Sequence, residues 1–170
     1  PMHVFPVTVS LAAIASFAVA VPHVSIPMQR GQVVAVANVA RASGTFEVKL
    51  TPQTNGVEVD SKDLGRLTID KTFRGDLSGT SHGQMLTAIT RVKGSAGYVA
   101  IERVTGSLHG KRGSFVLQHN GVMDRDTQQL TIVVVPDSGT DDLAGISGSM
   151  TISITEGKHL YVLEYTLDEP

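Results

Sequence analysis

From about residue 42 to residue 167 the chain is written in short runs of alternating apolar and polar residues that keep breaking at turn residues, a pattern that fits strands and little else. Phe46, Val48 and Leu50 alternate with Thr45, Glu47 and Lys49 until Thr51-Pro52 and Asn55-Gly56 interrupt the run. Leu67, Ile69, Lys71 and Phe73 alternate with Arg66, Thr68, Asp70 and Thr72 and stop at Gly75. Further strands are expected at 77–90, 98–104, 114–119, 130–135, 149–154 and 160–167, with 130–135 apolar on both faces. Connections of hairpin length carry Gly94, Gly97, Gly110, Gly121 and Gly157. The reading is an all-β fold, an eight-stranded antiparallel barrel closed on itself, because closure removes the exposed sheet edges. Residues 138–145 have room for one helical turn, with Asp141 and Asp142 at its start and Gly145 at its end, and are expected to close one barrel end.

At 170 residues, 41% apolar and 18% charged, the chain can bury one substantial core, and it is too apolar for disorder. The expected organisation is a barrel domain over 41–170 behind an apolar extension over 1–40. A net charge of -2 without a basic run excludes a nucleic-acid partner. The absence of cysteine excludes disulfides, thiolate metal sites and cysteine nucleophiles. Between Met2 and Gln29 no residue is formally charged, and Ala18-Val19-Ala20 ahead of Val21-Pro22 has the form of a small-residue cleavage site. Against a signal peptide, His3 stands where Lys or Arg is expected. Val7, Val9 and Leu11 alternate as an extension packed on the barrel would. Both readings stay open, and with them the compartment: cytoplasmic, or secreted or periplasmic if residues 2–20 form a signal. The run is Ala-rich and dotted with Ser, so neither a membrane span nor a membrane partner is expected.

The runs Gly97-Tyr98-Val99-Ala100-Ile101-Glu102-Arg103 and Gly113-Ser114-Phe115-Val116-Leu117-Gln118-His119 resemble the bacterial domain-of-unknown-function family numbered 3224. So do Leu67-Thr68-Ile69-Asp70-Lys71, Val135-Pro136-Asp137-Ser138-Gly139-Thr140 and His159-Leu160-Tyr161-Val162-Leu163-Glu164-Tyr165. The resemblance covers nearly all of residues 42–167. It implies a barrel similar to that of allene oxide cyclases, a superfamily related in architecture to dirigent proteins, some of which guide cyclisations of small hydrophobic molecules. It implies no activity by itself, because fold does not fix function. No catalytic residue of the plant cyclases maps onto this sequence by motif.

An eight-stranded barrel is wide enough inside for its own side chains or for one small ligand, so inward polar residues are the candidates for chemistry. His119 shares a strand face with Phe115 and Leu117. Pointing inward it would serve as a general acid or base, and otherwise it is a hydrogen-bonded structural residue or a mouth-facing one. Glu102 shares a face with Tyr98, Ala100 and Val104. It is either a desolvated inward carboxylate able to act as a base or the partner of a surface cation. Alternation does not choose between the faces, since both contain apolar residues. Tyr161 and Tyr165 either line a cavity or pack in the core or at an interface. Gly79-Thr80-Ser81-His82-Gly83 matches a hydrolase nucleophile elbow in letters only, because a strand rather than a helix is expected after it. The histidines show no metal-ligating spacing, and Asp124, Asp126 and Gln128 read as a turn, since Val135 stands where a calcium loop needs Glu. The expected function is a small-molecule-binding barrel, with a cofactor-free isomerase or cyclase acting on a hydrophobic substrate as the enzymatic form of that reading, Glu102 and His119 being catalytic and Tyr98, Phe115, Tyr161 and Tyr165 binding. The competing expectation is a non-catalytic barrel filled by its own side chains. A homo-oligomer, dimer or trimer, is expected in either case.

Overall fold

The computed structural model describes residues 38–53 and 63–167. They form eight antiparallel strands: β1 Ala40–Pro52, β2 Leu64–Gly75, β3 Leu77–Ile89, β4 Ala96–Leu108, β5 Lys111–Asp124, β6 Thr127–Val134, β7 Ile146–Thr155 and β8 Lys158–Leu167. Each strand neighbours the next, and β8 returns to β1 to close the barrel, as the alternation led us to expect. The expectations placed on the apolar segment before residue 38 lie outside the described residues.

The hairpins turn where the sequence has residues that accept positive φ. His109-Gly110 joins β4 to β5 with φ of 48° and 84°, and Glu156-Gly157 joins β7 to β8 with 52° and 75°. Two consecutive left-handed residues twist the chain in the sense that the flanking strands twist, so the strands leave the turn already paired. Arg125 and Asp126 link β5 to β6, so the Asp124 region is a turn.

The strands run longer than the alternation suggested, because several glycines expected at breaks lie inside them. Gly97 and Gly121 are not in connections: β4 pairs β5 without interruption from Ala96↔Met123 to Leu108↔Lys111. The stretch from Gly79 to Gly83 is neither a bulge nor a turn, since β3 keeps a one-to-one register with β2 through it. The reason is close approach. Gly79, Gly106 and Gly113 sit side by side on β3, β4 and β5, and a Cβ on Gly106 would lie 2.8 Å from the Gly79 Cα. Without side chains there, the backbones of β3 and β4 can lie this close.

The connection from β6 to β7 replaces strand pairing along the end of β5. Val135 N–H donates to the Val116 carbonyl at 2.9 Å, and Thr140 N–H donates to the Ser114 carbonyl at 2.9 Å. One 3-10 turn, Asp141–Leu143, follows and puts Leu143 into the main core, in line with the helical turn expected at 138–145.

The interior is layered. A large apolar cluster that includes Phe46, Phe73, Val104, Phe115 and Leu117 fills the Leu143 end. A smaller one, Ile69, Met85 and Ala100 with Val48, Leu67 and Tyr98 packed on it, lies toward the other end. Between these layers along β2, β3, β4 and β5 stand four buried polar side chains: Lys71, Ser81, Glu102 and His119.

Candidate functional site

On β4 the side chains of Tyr98, Ala100, Glu102 and Val104 face the interior, while Val99 and Ile101 are half exposed outside. On β5 the inward set is Phe115, Leu117 and His119. Register then assembles the site. Ala100 pairs with His119 and Glu102 with Leu117, so Glu102 and His119 are diagonal neighbours on adjacent strands. Lys71 pairs with Ser81 across β2 and β3, one step from Glu102 on β4.

Glu102, with no exposed surface, accepts three hydrogen bonds. Lys71 Nζ donates to Oε1 at 2.6 Å, Ser81 Oγ donates to Oε2 at 2.7 Å, and His119 Nε2 lies 2.9 Å from Oε1. Lys71 Nζ also stands 5.0 Å from the centre of the Phe46 ring and 5.9 Å from that of Phe73, whose faces attract the cation. Burial alone would push the Glu102 carboxyl up. The hydrogen bond from His119 and the charge of Lys71 outweigh it and hold the group at about 2.

Tyr98 lies one pair further toward the smaller cluster, opposite Gly121, and its ring occupies the space that a side chain at 121 would need. Burial, and then the nearby negative charge of Glu102, push its phenol up, so it stays protonated at neutral pH. The other candidates are not gathered here. Phe115 is enclosed in the large apolar cluster. Tyr161 lies edge-on to Phe73 and its hydroxyl is held by Leu77, accepting from the backbone N–H at 2.8 Å and donating to the carbonyl at 3.2 Å. Tyr165 OH is 2.8 Å from His109 Nδ1. Among the described residues no three His, Asp or Glu side chains converge to hold a metal ion.

Residues 42–165 match the model of the family described as "Protein of unknown function (DUF3224)". The chain belongs to the DUF3224 family. It is also similar to a crystal structure of a DUF3224 protein with unknown function from Shewanella oneidensis MR-1. The two share 47% identity with a TM-score of 0.73, over 78% of this chain and 99% of the other. No curated protein matches the chain.

In this DUF3224 barrel the buried polar groups are joined through Glu102. An ionised carboxylate only accepts hydrogen bonds, so Nε2 of His119 carries a proton toward Glu102. Glu102, its carboxyl held low by these contacts, fixes the orientation of the imidazole. Lys71 and Ser81, which hold Glu102, were not among the residues expected from sequence. Lys71 had a signal, since it stands between Ile69 and Phe73 on the apolar face of its strand. Ser81 had none beyond the hydrolase-like letters around it. The structure sets it inside a strand, not at a strand-to-helix elbow.

Proposed function

We propose that this DUF3224 chain is a small-molecule-binding barrel that transfers protons on a hydrophobic, carbonyl-bearing ligand, as a cofactor-free isomerase or cyclase does. The observation that carries this reading is the buried Lys71–Glu102–His119–Ser81 network in an otherwise apolar interior. Removing each ion from water costs several kcal/mol on the order-of-magnitude scale, and hydrophobic residues of similar volume would fill the space without that cost. Ionisable groups arranged at such expense cluster at functional sites. The resemblance to allene-oxide-cyclase-like barrels supports a ligand of this class.

In the proposed step His119 Nδ1 takes a proton from the carbon beside the ligand carbonyl. The electron pair moves onto the carbonyl oxygen, which accepts a hydrogen bond from the Tyr98 phenol. The imidazolium proton, which exchanges with solvent while it is held, is then delivered to a different carbon, so one proton leaves and one returns and the isomerisation balances with no oxidant or reductant. Glu102 steadies the imidazolium in between.

The test is deuterium incorporation from D2O into a panel of apolar ketones and enones, read by mass spectrometry, with binding followed by thermal shift. Wild type is expected to exchange C–H positions beside the carbonyl, and His119→Gln to bind equally but exchange at least ~100-fold more slowly. Equal exchange by both proteins would remove His119 from the chemistry. A barrel that binds none of the panel would be the non-catalytic, side-chain-filled alternative.

A further inference from the structure

The outside of β3, β4, β5 and β6 carries a block without charge. Three successive outward positions on each strand, within 84–88, 97–101, 118–122 and 129–133, lie side by side in register, and none is Asp, Glu, Lys or Arg. Leu86, Val99, Ile101, Val122 and Val133 within it are 37% to 56% exposed. The neighbouring outer face of β1 and β2 is the opposite, with Glu47, Lys49, Arg66, Asp70 and Arg74 pointing out. A depression of about 340 Å³ lies in the block, lined by Gln84, Leu86, Val99, Ile101 and Gln118 and also reaching Ala100 and His119 of the strands beneath.

We infer that this face is the interface of a two-fold homodimer. At strand spacing, four strands by five residues cover about 19 Å by 17 Å, a few hundred Å², enough for the centre of an interface but not for the whole of one. A standard interface needs about 800 Å² per partner, with a charge-depleted centre inside a polar rim. The block supplies that centre, and the next row, where His82 and Arg103 pair across β3 and β4, begins the rim. The chemistry selects a second copy as the occupant. Under a two-fold axis a patch meets itself, so any charge near the axis would face its own sign. A block of aliphatic residues with Gln84, Gln118, Asn120 and Gln129 meets itself without repulsion, because each amide both donates and accepts. The inference does not depend on the chemistry of the barrel interior.

Sedimentation of the full chain across concentrations should give twice the chain mass. Leu86→Glu and Ile101→Glu should each give a monomer with an unchanged circular dichroism spectrum. A wild-type chain that is monomeric at every concentration, or a dimer that survives both substitutions, overturns the inference. Since the chain has no cysteine, Val99→Cys adds a lone thiol reporter. Under reducing conditions maleimide labelling should be slow in concentrated protein and speed up on dilution. Slow labelling at every dilution would mean that a segment of the same chain covers the face. Slow labelling only when phosphatidylcholine–phosphatidylglycerol vesicles are added would mean a lipid surface, and fast labelling throughout would mean a bare face. Each of these three overturns the dimer.

Discussion

Glu102 accepts every donor the buried cluster offers, and its worth shows when one partner is taken away. Lys71→Met leaves a buried carboxylate without its cation and should cost about 3–5 kcal/mol in chemical denaturation. Lys71→Met with Glu102→Leu removes both charges, so it should recover much of that loss. A double variant no more stable than Lys71→Met alone would show that the pair does not act as a unit. The carboxyl sits at about 2 in the folded chain against an ordinary value of 4.5. A depressed carboxyl contributes stability that is complete above pH 4.5 and is lost as pH falls from there to about 2, on the order of 3 kcal/mol in all. Glu102→Gln should therefore flatten the stability profile over that window, and an unchanged slope would assign the acid transition to other carboxylates. Glu102 and His119 were legible in the sequence because each interrupts an apolar face. Lys71 interrupts one too, but a lysine's long apolar stem usually lets its ammonium reach water, so its position alone gives weak notice of burial.

At the level of strands, the sequence shows alternation but not which face is dry. On β4 both faces carry apolar residues: Val99 and Ile101 point outward beside Arg103, and Ala100 and Val104 point inward beside Glu102. A rule that sends the apolar face inside therefore gives no orientation for this strand. What orients β4 is its register with the strands on either side, which no single strand contains. The glycines inside β3, β4 and β5 were likewise opaque, because a glycine that allows close approach looks in sequence like one that makes a turn. The two kinds of close approach predict different costs. A Cβ at Gly106 meets the backbone of Ser78 and Gly79, which can yield only if β3 and β4 separate. A Cβ at Gly121 meets the ring of Tyr98, which can rotate away. Gly106→Ala should lower stability by about 1–3 kcal/mol, and Gly121→Ala by less while displacing Tyr98. Thermal unfolding of the two variants decides it, and the reverse order would mean that the strands are more compliant than the ring.

For the whole molecule, strand number and closure follow from eight alternating runs and short turns, but the strength of each seam does not. β3 pairs β4 over the full length from Leu77↔Leu108 to Ile89↔Ala96, whereas β6 and β7 pair at Val133↔Ser149 alone among the described residues. The difference arises in the 135–145 connection, which takes the hydrogen bonds of the β5 edge for itself and feeds β7 in from Leu143. A closed barrel opens first where the fewest backbone hydrogen bonds must break together. In native-state hydrogen exchange, amides of β3, β4 and β5 should be the most protected, near the global unfolding free energy, and those of β6 and β7 that face each other the least. Equal protection in all strands would mean that side-chain packing between β6 and β7, with Ile132 and Met150 both buried, holds the seam as firmly as a full ladder does.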